Sequence, residues 1–357
     1  MSAWVPLKVT EVKRETRDAV RIFLEPPADQ KIAFTNFKPG QYLTFEIPIP
    51  GFGPVRRSYS LCSLPGEEEP LAVVVKKVEN GLASKYLNDS LKAGDILWSL
   101  KPEGRFTPAL DPARRVQYFL IAGGSGITPI YSILKAVLRT ERESLVTLVY
   151  ANRNKDSVIF ANELLQLARA YRDRFTYIQA LDSAGLFWNG LKGPLMANDF
   201  AALYKKQFQP SFPQEFYVCG PTGMMQEAIA GLTSAGVSKD AIKIEYFKPA
   251  EQTQSISLSS SNAVVSCQAC IILGGKEYQV PVPKGTTLLK AAQDFGLDPP
   301  YSCEAGVCST CMAKLLDGQV KMIENNILTE KEVQEGYILT CQALCLTPSV
   351  KLEYPSS

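Results

Sequence analysis

The stretch Cys303-Glu304-Ala305-Gly306-Val307-Cys308-Ser309-Thr310-Cys311 has a C-x4-C-x2-C pattern, and Cys341 follows after a further 29 residues. Four thiolates at this spacing can bind the two irons of a [2Fe–2S] cluster. A loop that wraps around a cluster needs small residues between its ligands, and Gly306, Ser309 and Thr310 meet that need. Their backbone N–H groups can approach sulfur, which helps to set a cluster's potential. The spacing therefore predicts a cluster bound by Cys303, Cys308, Cys311 and Cys341.

A zinc site is the alternative for a cysteine-rich loop. Structural zinc sites usually combine two short C-x2-C pairs, and Cys267-Gln268-Ala269-Cys270 is one such pair. It falls within a predicted strand, where buried thiols are the simpler interpretation. Cys345 is the rival of Cys341 for the fourth ligand position.

The cysteine count and the lack of histidine restrict the chemistry further. Nine cysteines, an odd number, argue against a disulfide framework and for reduced thiols, as expected in the cytoplasm. The chain contains no histidine, so the commonest general base is missing. Carboxylates, thiolates or bound cofactors must carry any reaction, and hydride or electron transfer fits that restriction.

Charge and hydropathy argue against nucleic-acid binding and against a membrane-spanning helix. The net charge of +2 gives no electrostatic case for nucleic acid. The apolar runs have the length of strands, well short of the ~20 residues that a membrane helix needs. We expect no nucleic-acid partner and no membrane span.

The segment around the cysteine loop, residues 263–357, has an α+β pattern. It begins with a hairpin, Val264–Leu273 and Glu277–Val282, followed by a helix near Thr287–Phe295. Thr329 and Glu332 form a capping box for a short helix. From Val264 onward the chain resembles a plant-type ferredoxin, which implies a β-grasp fold. Residues 249–262 before it are rich in Ser and Gln, a composition typical of a flexible linker.

The first two segments differ in rhythm. Residues 1–112 contain about six short strands separated by Pro and Gly, which predicts a small antiparallel β-barrel. Residues 113–248 alternate strands with helices, which predicts an α/β domain with a parallel sheet. The expected strands of the barrel are Leu7–Val12, Val20–Leu24, Tyr42–Ile47, Ser58–Leu61, Leu71–Val75 and Ile96–Leu100.

The barrel segment carries the motif Arg56-Arg57-Ser58-Tyr59-Ser60-Leu61. A guanidinium can bind a pyrophosphate with two hydrogen bonds, and a Tyr two residues later points to the same face of a strand. The pattern resembles the FAD motif of the ferredoxin–NADP reductase superfamily. The resemblance implies that Arg57 binds phosphate, Tyr59 contacts the flavin ring and Ser60 donates toward flavin N5. Arg56, one residue earlier, is the alternative to Arg57 as the phosphate ligand.

Two further pieces support FAD. Phe37-Lys38-Pro39-Gly40-Gln41-Tyr42 resembles the superfamily's F-x-P-G-Q-Y segment. Gly81-Leu82-Ala83-Ser84 resembles its second phosphate loop, and we expect Ser84 to cap a helix Lys85–Leu91 so that free N–H groups face the pyrophosphate. Gly81 and Leu82 belong to this phosphate loop, and Lys76 is expected along the isoalloxazine ring.

Two motifs predict the nicotinamide site. Ile121-Ala122-Gly123-Gly124-Ser125-Gly126-Ile127-Thr128-Pro129 joins a predicted strand to a predicted helix and resembles the superfamily's G-G-x-G-I-T-P loop. Tyr217-Val218-Cys219-Gly220-Pro221 resembles its Y-x-C-G-P segment. The resemblance places Gly124, Gly126, Thr128, Gly220 and Pro221 against the dinucleotide. It also makes Cys219 a small, polarisable wall of the hydride site beside Tyr59 and Ser60; a buried structural cysteine is the alternative.

The choice of dinucleotide depends on the loop after the second strand of the α/β segment. Arg153 and Lys155 could meet a 2′-phosphate, whereas an acidic residue directly after the strand would favour NADH, and Asp156 comes late. We expect NADPH and keep NADH as the alternative. At the end of the segment Phe247 is expected to cover the flavin ring, with Tyr246 as the rival one position earlier.

The order of the three segments resembles the reductase components of multicomponent phenylacetyl-CoA epoxidase and ring-oxygenase systems. It implies electron transfer from NAD(P)H through FAD and the [2Fe–2S] cluster to a partner protein, an oxygenase component, that docks near the cluster loop. The first rival is a stand-alone NAD(P)H dehydrogenase or oxidase with a small-molecule acceptor. The second is a non-enzymatic redox or metal-binding module.

Overall fold

The structure, a computed structural model, describes residues 4–66, 68–185, 188–247 and 264–355. The chain divides into two compact units, Met1–Glu245 and Tyr246–Ser357. The expected linker, residues 249–262, lies outside the described residues, and the four segment boundaries stay predictions.

The first sheet of the first unit is antiparallel and six-stranded. Its order is β4-β3-β6-β1-β2-β5, and an isolated bridge between Leu61 and Val73 joins the end of β4 to β5. This closure produces the predicted barrel, with fully buried Leu7, Ile22 and Phe45 inside it. The strands and helices are β1 (Val5–Thr16), β2 (Ala19–Glu25), α1 (Lys31–Thr35), β3 (Tyr42–Ile49), β4 (Gly53–Ser60), β5 (Leu71–Lys76), α2 (Leu82–Asp89) and β6 (Ile96–Ser99).

Helix α2 begins earlier than the sequence indicated. The expected helix Lys85–Leu91 with Ser84 as its cap is wrong, because Gly81 is the N-cap residue and the helix starts at Leu82. The Ser84 hydroxyl accepts from Val78 N at 3.0 Å and donates to the Gly81 carbonyl at 3.1 Å. The Ser84 side chain therefore holds the ends of the loop Val78–Gly81 together by hydrogen bonds. The N–H groups of the first turn of α2 still face this loop.

The second sheet of the first unit is parallel and has the order β10-β9-β8-β7-β11-β12. Its central strand β7 is buried at every position, as expected for a strand covered on both faces. The elements are β7 (Gln117–Gly123), α3 (Ile127–Thr140), β8 (Leu145–Asn152), α4 (Ala161–Ala170), β9 (Phe175–Leu181), β10 (Leu191–Lys192), α5 (Ala197–Gln207), β11 (Gln214–Cys219), α6 (Thr222–Ser234) and β12 (Ile242–Glu245).

Within the first unit, barrel and parallel sheet share a continuous contact. Arg21 on β2 pairs with Glu163 on α4 at 2.7 Å, and its guanidinium lies 4.6 Å from the centre of the Phe160 ring. On α3, the Ser132 hydroxyl donates to the Ser63 carbonyl at 2.8 Å. These contacts hold the carboxyl ends of the parallel strands at a fixed position beside the barrel.

The second unit has a mixed five-stranded sheet of order β14-β13-β19-β15-β17 and a two-stranded sheet β16-β18. Thr287 caps α7, and the predicted capping box of Thr329 and Glu332 is confirmed at α8. The elements are β13 (Cys267–Leu273), β14 (Lys276–Val282), α7 (Leu288–Asp294), β15 (Met312–Asp317), β16 (Val320–Met322), α8 (Glu330–Gln334), β17 (Tyr337–Leu339), β18 (Ala343–Cys345) and β19 (Ser349–Glu353).

One disulfide contradicts the expectation of reduced thiols outside the cluster loop. Cys267 and Cys345 are bonded, with Cα atoms 6.3 Å apart. Both side chains are buried in the same core, where β13 and β18 bring together residues that are 78 positions apart in sequence. The bond also withdraws Cys345 as the rival fourth ligand. Cys270, the other half of the C-x2-C pair, is a free, partly exposed thiol.

None of the helices within the described ranges is long and apolar enough to cross a membrane.

Candidate functional site

The arginine pair on β4 has two different environments. Arg56 is 8% exposed, pairs with Glu46 at 3.4 Å and lies over the Trp4 ring at 4.7 Å. Arg57 is exposed, and its Nη1 donates to the Arg56 carbonyl at 2.6 Å. Because Arg56 already has partners in the barrel, the structure favours Arg57 as the guanidinium that meets a phosphate.

Tyr59 shares a strand face with Arg57, as the two-residue spacing requires. Burial raises the pKa of the Tyr59 phenol, and the Arg57 charge lowers it in part. The Tyr59 ring is half-buried beside Phe45, with centroids 6.2 Å apart. A neutral aromatic side chain is thus held next to an exposed guanidinium, the combination that a flavin ring and its phosphates require.

Ser60, at the end of β4, reaches the parallel sheet. Its buried hydroxyl donates to Glu245 Oε2 at 3.3 Å. Glu245 ends β12 and pairs in register with Cys219, which ends β11. Three residues distant in sequence therefore meet where the carboxyl ends of two parallel strands face the barrel, the usual location of ligand sites in such sheets.

The surroundings of Glu245 favour the neutral form of its carboxyl group. Burial raises its pKa to about 8, although the hydrogen bond from Ser60 lowers it. Burial also raises the pKa of the Cys219 thiol, and the charge of an ionised Glu245 would raise it further. Cys219 is therefore a neutral thiol, which suits a wall of the site and not a nucleophile. Sequence reasoning gave Glu245 no role; its one signal was a carboxylate that ends a parallel strand.

The two glycine motifs pack backbone against backbone. A Cβ on Gly126 would lie 2.2 Å from the Cys219 carbonyl oxygen, and one on Gly220 would lie 2.8 Å from the Gly123 nitrogen. Gly124 has φ +52, and the hydroxyl of Thr128 donates to the Ser125 carbonyl at 3.1 Å. Glycine is required where these two loops meet, and the meeting point lies directly beside Cys219.

Lys76 ends β5 between the barrel and the Gly124 turn. Its Nζ is 3.6 Å from Asp18 and 3.9 Å from the position that a Cβ on Gly124 would occupy. Pro221 is the N-cap residue of α6. Lys76 therefore places a cation at the border of the predicted flavin and nicotinamide sites, which fits a negatively charged dinucleotide.

The loop after β8 leaves the two predicted basic side chains in solvent. Arg153 and Lys155 are both exposed, and Asn154 caps the single turn Lys155–Ser157 through a capping box. Asp156 is exposed in the same turn. Phe247 follows Glu245 by two residues, and its proposed position over the flavin stays a prediction.

The four predicted cluster ligands come together in the second unit. The Cys308 thiol donates to Cys303 Sγ at 3.1 Å, which lowers the pKa of the Cys303 thiol and raises that of Cys308. The Cys341 thiol interacts with the sulfurs of Cys303 and Cys311, which lowers the pKa of the Cys311 thiol and raises that of Cys341. The sulfurs form one continuous chain, and this convergence fits four thiolates around a two-iron cluster.

Backbone groups support the same fit. Ala305 N donates to Cys303 Sγ at 3.4 Å, and Glu304 adopts the left-handed φ of +53 that turns the loop there. Within the described ranges, no group of three or more His, Cys, Asp or Glu side chains has the arrangement of a site for a single metal ion. The assignment of the four ligands rests on the convergence of the sulfurs.

Comparisons with known proteins agree with this arrangement. Family models match an oxidoreductase FAD-binding domain at residues 6–107, an oxidoreductase NAD-binding domain at 120–229 and a 2Fe-2S iron-sulfur cluster binding domain at 271–346. Phthalate dioxygenase reductase has the same fold, with a TM-score of 0.61 at 23% identity and 98% of each chain covered.

Two relatives are similar along nearly their whole length. The ferredoxin reductase component of the 3-ketosteroid-9-alpha-monooxygenase of Mycolicibacterium smegmatis is 36% identical, covering 98% of this chain and 96% of the relative. One of the subunits of the 1,2-phenylacetyl-CoA epoxidase of Escherichia coli is 33% identical, covering 99% of this chain and 98% of the relative. The chain therefore belongs to the ferredoxin reductase family that joins FAD-binding, NAD-binding and [2Fe–2S] domains in one polypeptide, and it is an NAD(P)H-dependent electron-transfer oxidoreductase.

Proposed function

We propose that this chain is the reductase component of a multicomponent oxygenase, and that it delivers electrons from NADPH to the metal centre of a separate oxygenase protein. The observation that supports it best is the convergence of Cys303, Cys308, Cys311 and Cys341 in a chain that also carries the hydride-site residues. A small acceptor could take electrons from a flavin directly, whereas a cluster is useful for reaching a protein. The relatives named above belong to a monooxygenase and an epoxidase with different substrates, so the oxygenase reaction itself is not part of the proposal.

The residues of the first unit bind and orient the cofactors and supply a hydrogen-bond donor. Bound there, FAD would supply hydride-accepting and one-electron-donating chemistry. Arg57 holds the pyrophosphate, and Tyr59 fixes the ring plane. When Glu245 is neutral, its own O–H can donate to Ser60 Oγ, and the Ser60 hydrogen is then free to point toward flavin N5. Cys219 closes the site without a charge.

The acceptor is expected to dock beside the cysteine loop. Cys303 is partly exposed, whereas Cys308, Cys311 and Cys341 are buried. Ile323, 41% exposed, lies on a segment bonded to this loop, since Asn326 N donates to the Gly306 carbonyl at 3.0 Å. Contacts between electron-transfer partners are often small, below about 1,200 Å² in total, and Ile323 would be one apolar residue of such a contact. The variant Ile323→Asp should slow transfer to a protein acceptor and leave the reduction of small acceptors unchanged.

Cofactor choice follows from the loop after β8. Arg153 and Lys155 are exposed there without an acidic residue directly after the strand, which supports NADPH. The variant Arg153→Ala should raise the KM for NADPH several-fold and leave that for NADH unchanged. An equal effect on both would favour the alternative, NADH, and a solvent-exposed role for this basic loop. A cytoplasmic location also stays a prediction, drawn from the odd number of cysteines.

The acceptor experiment compares electron flow with and without the cluster. The variant Cys341→Ser should keep NADPH-dependent reduction of ferricyanide and lose reduction of cytochrome c, and Cys270→Ser is the matched control that should keep both. Turnover with a free quinone or dioxygen that matches turnover with protein acceptors would instead support a stand-alone dehydrogenase.

A further inference from the structure

The residue directly after the fourth cysteine carries a buried side-chain amide that touches the cluster site. Gln342 is 7% exposed. Its Nε2 lies 3.6 Å from Cys341 Sγ and 3.0 Å from the backbone oxygen of Glu304. Glu304 follows Cys303, so one amide connects the two ends of the ligand set.

The chemistry of these two neighbours fixes the orientation of the amide. A backbone carbonyl and a thiolate can only accept, and the amide nitrogen has two N–H groups to donate. Reversing the amide would place its oxygen against two acceptors. Both N–H groups are therefore used, one on the loop and one on sulfur.

The backbone holds this amide in place before any cluster binds. Gln342 N donates to the Leu339 carbonyl at 2.9 Å, and the Gln342 carbonyl accepts from Ile323 N at 2.9 Å. Gly306, at φ +71, leaves room for the side chain, because a Cβ there would lie 3.2 Å from Gln342 Cγ. The donor is thus preorganised by secondary structure and by a glycine within the ligand loop.

We infer that the Gln342 amide tunes the reduction potential of the cluster by donating a hydrogen bond to the ligand sulfur of Cys341. Reduction adds negative charge to the cluster, and a donor aimed at a ligand sulfur stabilises the more negative state. The effect is strengthened by burial, where charges are poorly screened. A donor in this position makes the cluster easier to reduce. The inference rests on the ligand set proposed above.

The test is a potentiometric titration of the full-length protein, followed by EPR of the reduced cluster. In Gln342→Leu the midpoint should move to a more negative value. At the wild-type midpoint the ratio of reduced to oxidised cluster should fall about tenfold, equivalent to about 59 mV for one electron. Gln342→Met, which keeps the length of the side chain without a donor, should shift it equally.

Asn325→Ala is the matched control. Asn325 lies in the neighbouring segment, and its amide donates to the Leu328 carbonyl at 3.0 Å and not to a sulfur. Its midpoint should stay at the wild-type value. An unchanged midpoint in both Gln342 variants, or an equal shift in the control, would overturn the inference.

A second measurement needs no substitution. In wild-type protein labelled with 15N in its glutamine side chains, pulsed EPR of the reduced cluster should detect a coupled 15N nucleus, and its absence would overturn the inference. A wild-type protein with no cluster signal would instead overturn the proposed ligand set, so the two failures are distinguishable.

Discussion

Removing the proton of Glu245 should slow reduction of the flavin, and the variant Glu245→Gln should remove this pH dependence. Ser60 Oγ lies 3.3 Å from Glu245 Oε2, and burial raises the pKa of this carboxyl to about 8. Above that pH the ionised carboxylate accepts a hydrogen bond from the Ser60 hydroxyl. The Ser60 hydroxyl is then no longer available as a hydrogen-bond donor to the flavin. Glutamine keeps an N–H for Ser60 at every pH, so the Ser60 hydrogen stays available.

The size of the effect follows from one hydrogen bond. A bond to a charged group contributes about 1.5–3 kcal/mol, and about 1.4 kcal/mol corresponds to a factor of ten. The rate of flavin reduction in the wild type should therefore fall about 10- to 100-fold as the pH rises through about 8. The rate in Glu245→Gln should stay close to the wild-type value at low pH.

The same group predicts a change in stability. Its pKa is raised from 4.5 to about 8 in the folded protein. The folded state therefore holds this proton more tightly than the unfolded state, and the stabilisation is complete below about pH 4.5 and is lost as pH rises to about 8. The full difference is on the order of 5 kcal/mol.

Stopped-flow measurement of flavin absorbance after mixing with NADPH, between pH 6 and pH 9, tests the kinetic part. Urea unfolding of the wild type and of Glu245→Gln, over the same pH range and down to pH 4.5, tests the predicted change in stability. Glu245→Gln should become the more stable protein, relative to wild type, as the pH rises. A wild-type profile without an inflection near pH 8, or the same inflection in Glu245→Gln, would show that Glu245 does not control the Ser60 donor.

Two other predictions concern the nucleotide sites. Gly126→Ala should lower NADPH-dependent flavin reduction at least tenfold in a stopped-flow assay, because its Cβ would lie 2.2 Å from the Cys219 carbonyl oxygen. Gly223→Ala has open space around its Cβ and should stabilise α6 by up to about 1 kcal/mol in thermal unfolding. Equal behaviour of the two variants would contradict the close approach of the two loops. Arg57→Leu should weaken FAD binding at least tenfold in a flavin-fluorescence titration, with little loss of stability. Arg56→Leu should lower the melting temperature, because the ion pair with Glu46 is lost, and should keep the affinity for FAD. The reverse pattern would show that Arg56 is the phosphate ligand.

The sequence predicted the barrel, the parallel sheet and the α+β character of the last segment because local periodicity and motifs encode them. About six short strands separated by Pro and Gly in residues 1–112 indicated the barrel, and strand–helix alternation in residues 113–248 indicated the parallel sheet. The strand ends were less accurate: β4 begins at Gly53, five residues before the expected start, since its first residues pair with β3 and lack a clear apolar pattern.

The contacts that the sequence missed are long-range. Ser60 meets Glu245 across 185 positions, and Cys267 meets Cys345 across 78. Neither pair has a short motif, because strand order decides which residues face each other. The prediction that Ser84 caps the helix was wrong for a local reason. A hydroxyl can cap a helix or bind the loop before it, and here the Ser84 hydroxyl accepts from Val78 N in the loop.

The most direct test of the whole account is an anaerobic titration of the full-length protein with NADPH, and separately with NADH, followed by absorbance and EPR. We expect the flavin bands and the broad sulfide-to-iron absorption both to be lost. The EPR signal of a reduced [2Fe–2S] cluster should develop in the wild type and be missing in Cys341→Ser. A colourless protein that contains zinc, or a flavin that is reduced while no cluster signal develops in the wild type, would contradict it.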